Sequence, residues 1–249
     1  KEQAEGQIGF VSQDDLLIEE LTVYQNLYFN AKLCFDNYNA QQLDDAVNKM
    51  LMSLGLFEIK DMKVGSPLNK KISGGQRKRL NIALELIREP AILFLDEPTS
   101  GLSSRDSENI LDLLKELTLK GKLVFVVIHQ PSSDIFKMFD KLLILDTGGY
   151  LIYNGDPIES IIYYKSRVQH ANWNESECTL CGNVNPEQIF NIVEAKVLDE
   201  YGNPTRARKI NPSEWNQHFK RYFPDLKKTN ETPDELPKIH FKIPNWFKQ

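Results

Sequence analysis

The chain has 249 residues, 41% hydrophobic and 26% charged, with a net charge of −5 at pH 7. This is the make-up of a globular protein long enough to bury a core, and its acidic balance argues against an electrostatic nucleic-acid surface. No apolar run reaches the roughly 18 residues of a bilayer-spanning helix, and the first residues lack the basic-then-apolar pattern of a signal peptide. Three cysteines in this length point to a reducing compartment rather than to disulfide stapling.

Gln7–Val11 reads as a short strand that stops at Ser12-Gln13. Thr22 can cap a helix carrying Val23, Leu27, Ala31 and Cys34 on one face, and Asp44–Leu56 continues with Leu43, Val47, Leu51 and Leu54 at helical spacing. Gly55, Gly65 and Pro67 then punctuate the chain, so residues 14 to about 70 read as a helical insertion between strands. Ser73-Gly74-Gly75-Gln76 opens directly into a helix through Ile82, Ala83, Leu86 and Ile87. Such a turn presents unpaired backbone N–H groups at the positive end of the helix dipole, which is a physical anion site. A glycine turn that merely enters a helix accounts for the same residues.

Ala91–Leu95 is an unbroken apolar run followed by Asp96, Glu97 and Pro98, the pattern of a buried parallel strand ending in a polar loop. Chemistry in open α/β sheets sits just beyond such strand ends, where Asp96 and Glu97 could handle a metal and a reacting phosphate. An ordinary acidic turn is the alternative. Ser103 or Ser104 caps the next helix, built on Ile110, Leu113, Leu114 and Leu117, and Gly121 ends it. Leu123–Ile128 reads as another buried strand, terminating at His129-Gln130-Pro131. A further helix starts at Ser132–Asp134, and Lys141–Asp146 pairs with Tyr150–Asn154 across Thr147-Gly148-Gly149 as a hairpin at the sheet edge. Strands alternating with helices mean an α/β domain.

Gln13, Ser73–Gln76, Ile92–Asp96, Ser100–Ser103 and His129 follow one another in an order that resembles the nucleotide-binding domain of ABC transporters. They match, in turn, its Q-loop, signature motif (with Ile72 where leucine is usual), Walker B strand, D-loop and switch histidine. Ser73–Arg79, Glu97–Leu102 and His129–Phe136 are similar to the G subfamily in particular, as are Gly155-Asp156-Pro157 and Asn185–Phe190. The resemblance is firm from Gly6 to about Lys165. It implies a P-loop NTPase-like α/β fold with a parallel sheet and a helical subdomain, and ATP and Mg²⁺ as cofactors. It further implies that Asp96 and Gln13 serve the Mg²⁺ shell, that Glu97 orients and deprotonates water, and that His129 contacts the γ-phosphate. Ser73, Gly74, Gly75 and Gln76 would grip a nucleotide held by a second nucleotide-binding domain in a head-to-tail dimer. The implied setting is the cytoplasmic face of the cell membrane, with a transmembrane domain on the same polypeptide. A soluble ABC-type ATPase, and a non-catalytic interaction module, are the rival readings.

Two departures stand out. The sequence contains no G-x-x-x-x-G-K-[ST] phosphate loop, and its Gly121-Lys122 leads into a strand rather than a helix. The chain therefore reads as a fragment without its N-terminal part, expected to bind ATP weakly and to hydrolyse none. Ser103 also stands where the D-loop usually carries aspartate.

The expected domains are a partial ATPase domain over 1–165, with its helical subdomain at about 14–72 and the signature-to-histidine stretch at 72–130; an extension over 166–223; and a linker over 224–249. In the extension, Cys178 and Cys181 form a lone C-x-x-C. Two small thiols in a loop is the leading reading and a zinc site the second, since zinc needs further ligands and only His170, Cys34 or a second subunit offers any. Asn185-Pro186 and Asn211-Pro212 open helices bearing Ile189, Ile192 and Val193, and Trp215, Phe219 and Tyr222. His240–Gln249 reads as an amphipathic approach to a connecting helix.

Overall fold

The computed structural model describes residues 8–66, 69, 71–168, 174–178 and 181–223. They pack as two units, one running to His129 and the other beginning at Gln130.

In the first unit, strands β1 (Ile8–Val11), β2 (Ile92–Asp96) and β3 (Leu123–Val127) form a parallel sheet in that order. The register sets Val11 beside Leu95 and Asp96 beside Val127. Helix α3 (Gly74–Leu86) packs on β1 and α4 (Ser104–Leu119) on β3, covering one face. Val11, Leu93, Leu95, Leu80, Ile82 and Ile110 are buried in this layer, each worth about 1.5–3 kcal/mol of transfer free energy. The opposite face carries Ile8, Phe10, Phe94, Leu123, Phe125 and Val127 at 38–60% exposure. The strands expected to be buried are covered by the described residues on one face only. The apolar runs are continuous, but the described residues cover the sheet from one side.

The insertion is helical, as its spacing predicts. Helix α1 (Val23–Cys34) starts at a reciprocal cap between Thr22 and Gln25, and α2 (Ala40–Ser53) at one between Asn39 and Gln42. The second cap moves the start of α2 four residues ahead of Asp44, because Asn39 and Gln42 satisfy each other's backbone N–H groups. Leu27, Ala31, Leu43, Val47 and Leu51 are buried where the two helices meet. Buried Asn26 is satisfied by the Ile18 N–H and by the Ile18 and Thr22 carbonyls.

The second unit begins with α5 (Ser133–Lys137) and an antiparallel pair, β4 (Leu142–Asp146) and β5 (Tyr150–Gly155), turning through Gly148 and Gly149 at φ 84° and 77°. This hairpin forms a two-stranded sheet of its own rather than the edge of a larger one. Helices α6 (Pro157–Arg167), α7 (Glu187–Val193) and α8 (Pro212–Tyr222) close over it, their starts set by Asp156 with Pro157, by Pro186, and by the Asn211–Glu214 box. Trp215, Tyr153 and Tyr164 are fully buried with Ile152, Ile161, Ile189 and Val193 around them. These shared contacts join residues before and after 165 in one packed unit. A second hairpin, β6 (Lys196–Leu198) with β7 (Pro204–Arg208), was not foreseen. Its strands are short, charged and mostly exposed, and only the Asp199–Asn203 turn with Gly202 at φ 82° marks it. The expected linker and amphipathic tail over 224–249 lie outside the described residues.

Candidate functional site

Parallel register brings three loops to one end of the sheet. Gln13 follows β1 by two residues, Glu97 follows β2 directly, and His129 follows β3 by two. The Gln13 Nε2 donates to Glu97 Oε2 at 3.0 Å. Glu97 itself has φ 42°, and its N–H donates to the Val127 carbonyl at 3.0 Å, extending the ladder one residue past the strand. The Ser100 N–H returns to the Glu97 carbonyl at 3.1 Å and closes the turn over buried Pro98. A left-handed glutamate costs of order 1–3 kcal/mol, and such strain gathers where a side chain must be aimed. Asp96 and Glu97 are half-buried, while His129 is exposed beside Gln130, another left-handed residue at φ 49°.

The glutamine loop is held from behind by two cations that the sequence reading passed over. Lys78 is 8% exposed and its Nζ donates to the Gln13 carbonyl at 2.8 Å. Burial pushes this ammonium below its usual value, against the pull of Asp15, Asp14, Asp96 and Glu97. Arg77 grips Asp15 with two bonds, Nε to Oδ2 at 2.5 Å and Nη2 to Oδ1 at 3.0 Å, and gives Nη1 to the Gly65 carbonyl at 2.5 Å. The basic run Arg77-Lys78-Arg79 directly after the glycine turn was the available signal; its burial was not readable from residue type.

Ser73 caps α3, its Oγ accepting the Gln76 N–H at 3.1 Å while Gln76 Oε1 accepts the Ser73 N–H at 2.8 Å. The reciprocal cap occupies both side-chain oxygens, so the helix end offers an anion the N–H groups of Gly74 and Gly75. Both glycines sit close to the next loop. A Cβ on Gly75 would lie 2.7 Å from Asp106 Oδ1, and one on Gly74 3.2 Å from Leu102 Cδ2. Ser103 caps α4, donating its hydroxyl to Asp106 Oδ2 at 2.9 Å and accepting the Asp106 N–H at 3.1 Å. Serine and aspartate serve equally as caps, so the departure at Ser103 leaves the helix start intact.

The structure therefore joins Gln13 to Glu97, sets Asp96 next to them, and ties the glutamine loop to the helix that Ser73–Gln76 begins. With the Gln13 amide nitrogen turned to Glu97, its oxygen and the two carboxylates remain as hard donors suited to Mg²⁺. Cys178 and Cys181 are exposed and in no disulfide. Among the described residues no group of three or more His, Cys, Asp or Glu could hold a metal. His170 lies outside the described residues. Cys34 is half-buried on α1, its thiol pushed up by burial and donating to Asn30 Oδ1 at 3.6 Å.

A family model described as ABC transporter matches residues 1–100, and one described as ABC-2 type transporter matches residues 129–233. The broad substrate specificity ATP-binding cassette transporter ABCG2 of Bos taurus is 42% identical over 157 residues, covering 63% of this chain and 24% of that protein. ABC transporter G family member 28 of Arabidopsis thaliana is 44% identical over 163 residues, 65% of this chain and 14% of its own. ABC transporter G family member 25 of Oryza sativa subsp. japonica is 43% identical over 161 residues, 64% and 16%. The chain spans a quarter or less of the length of these relatives. Among its described residues no helix is long and apolar enough to cross a membrane.

Proposed function

We propose that this chain is a piece of a G-subfamily-like ABC transporter domain, a reading supported by the two family models and the relatives they accompany, and that it forms part of an ATP-hydrolysing engine at the cytoplasmic face of a membrane. The engine would act on a transmembrane domain and pair with a second nucleotide-binding domain. The observation that carries the reading is the 3.0 Å bond from Gln13 to Glu97, made at one end of the parallel sheet.

ATP hydrolysis needs a positioned water, a base for its proton, and positive groups around the departing phosphoryl. Glu97 is the base: its left-handed backbone aims the carboxylate off the sheet, and the Gln13 amide fixes which oxygen stays available. Asp96 and the Gln13 oxygen would hold Mg²⁺, which supplies charge neutralisation between phosphate oxygens. His129 gives the γ-phosphate a donor from the third strand end. The Gly74 and Gly75 N–H groups serve the nucleotide of the facing domain. Lys78 and Arg77 position the glutamine loop, so that movement of α3 and of Gln13 is coupled.

A phosphate-cradling loop is not among the 249 residues, and the chain by itself binds MgATP weakly and turns none over. Micromolar binding of MgATP to this chain in calorimetry would refute that part. The engine is tested in the polypeptide that its gene encodes. There Glu97→Gln should lower phosphate release by ~10²–10⁴-fold, the usual worth of a general base, with nucleotide still bound. Undiminished turnover would remove Glu97 from the mechanism.

A further inference from the structure

The departure at Ser103 has a counterpart one helical turn further on. Position 103 carries a hydroxyl where the motif usually has a carboxylate, and Asp106 stands in the first turn of α4. Ser103 Oγ accepts the Asp106 N–H at 3.1 Å and donates its own proton to Asp106 Oδ2 at 2.9 Å. The hydroxyl thus draws the carboxylate back toward the cap, the region that an aspartate at 103 would itself have made negative.

The same carboxylate rests on the turn that opens α3. A Cβ on Gly75 would stand 2.7 Å from Asp106 Oδ1 and 2.9 Å from its Cγ, and one on Gly74 would stand 3.2 Å from Leu102 Cδ2. Leu102 therefore covers one residue of the glycine turn and Asp106 covers the next. The chain between them and the acid pair has little slack. The Ser100 N–H returns to the Glu97 carbonyl at 3.1 Å and the Leu102 N–H to the Thr99 carbonyl at 3.3 Å, so two successive turns run from left-handed Glu97 to the Ser103 cap. A displacement of Gly75 is passed through Asp106 and Ser103 to Glu97 by packed atoms and short hydrogen bonds, a contiguous path of the kind that can carry coupling.

We infer that Asp106 is a positioning residue of the hydrolytic site, tying the aim of Glu97 to the turn Ser73–Gln76 through Ser103. The inference rests on the composite-site reading proposed above. In that reading Glu97 serves the nucleotide of its own domain, and the Gly74 and Gly75 N–H groups serve the nucleotide of the facing one. Asp106 joins the two within a single chain, so an anion arriving at one site re-aims the base at the other. It acts through Glu97 and not on the reacting atoms.

The test is made in the polypeptide that the gene encodes, by ATP turnover and by the thermal midpoint of the same preparation. Asp106→Ala should lower kcat by ~2–30-fold, the reach of a residue that couples sites without touching a ligand, with the KM for MgATP changed less than about twofold. The thermal midpoint should hold, because Ser103 still caps α4. Adding Ser103→Asp to Asp106→Ala moves the carboxylate to the cap and should return most of the lost kcat. Serine and aspartate cap equally well, so a purely structural role predicts no such recovery. Turnover in Asp106→Ala equal to the parent's, or a loss that the added Ser103→Asp leaves in place, would overturn the inference. Glu97→Gln separates the two levels. Turnover that survives it undiminished removes the composite site and this inference with it, whereas Glu97-dependent turnover indifferent to Asp106 removes this inference alone.

Discussion

The two units reach stability by different routes. The unit ending at His129 spreads a three-stranded parallel sheet under α3 and α4 and leaves Phe10, Phe94 and Phe125 in one exposed row across the strands. The unit beginning at Gln130 instead gathers its aromatics inward, with Trp215 edge-on to Tyr164 at 5.2 Å and Tyr153, Tyr163 and Phe223 around them. In the first, fixed backbone brings loops and charges to one end of a sheet that is half covered. In the second, side chains close a core of their own. Strand ends that must stay accessible go with the first arrangement; a steady platform goes with the second.

That contrast can be broken at its strongest point first. Trp215→Ala should cost about 3–5 kcal/mol, read by urea unfolding with circular dichroism; a loss below 1 kcal/mol would mean the aromatic core is not what holds the second unit. In the sheet, Leu93→Ala should cost ~2–5 kcal/mol, whereas Phe125→Ser on the exposed face of the neighbouring strand should cost less than ~1 kcal/mol. Equal losses would show that both faces are buried in solution. Arg77→Met leaves Asp15 and the Gly65 carbonyl without their partner and should cost ~2 kcal/mol, discounted because the Asp15 side chain keeps 23% of its exposure. Ser73→Ala removes a cap and should cost ~1 kcal/mol, visible as a lower thermal midpoint. The smallest effect is in the second core, where the Tyr163 hydroxyl is buried without a partner. Tyr163→Phe should stay within about 0.5 kcal/mol of the parent at pH 7. Burial pushes the Tyr163 phenol up to about 12 from an ordinary 10.0. A folded value above the unfolded one gives stability that is whole below pH 10 and lost as pH climbs toward 12. The phenylalanine variant should lose less over that window, as pH-dependent unfolding will show.

Most elements were legible because their signals are local. Thr22, Ser73, Ser103 and Asn211 each announce a helix by a side chain that bonds two or three residues on, and each caps one. The α/β alternation and the chain order of Gln13, Asp96, Glu97 and His129 were equally plain. What escaped depends on partners distant in sequence. Nothing local says that Lys78 is buried, since that follows from Gln13 65 residues earlier. Nor does an apolar run reveal how many layers cover a strand, so the one-sided cover of β2 and β3 by the described residues was not readable from their sequence. For the same reason no local signal shows that Trp215 and Ile152 share one core across more than sixty positions. The β6–β7 hairpin lacked an apolar alternation altogether.

Gly75 carries two obligations at once. Its α-hydrogen faces the Asp106 carboxylate, which in turn completes the cap of α4 through Ser103. Any larger residue there would first displace Asp106, and the disturbance would reach the loop after the acid pair without passing through a nucleotide. Packing against Asp106 thus fixes a glycine at this position whether or not an anion binds at the start of α3.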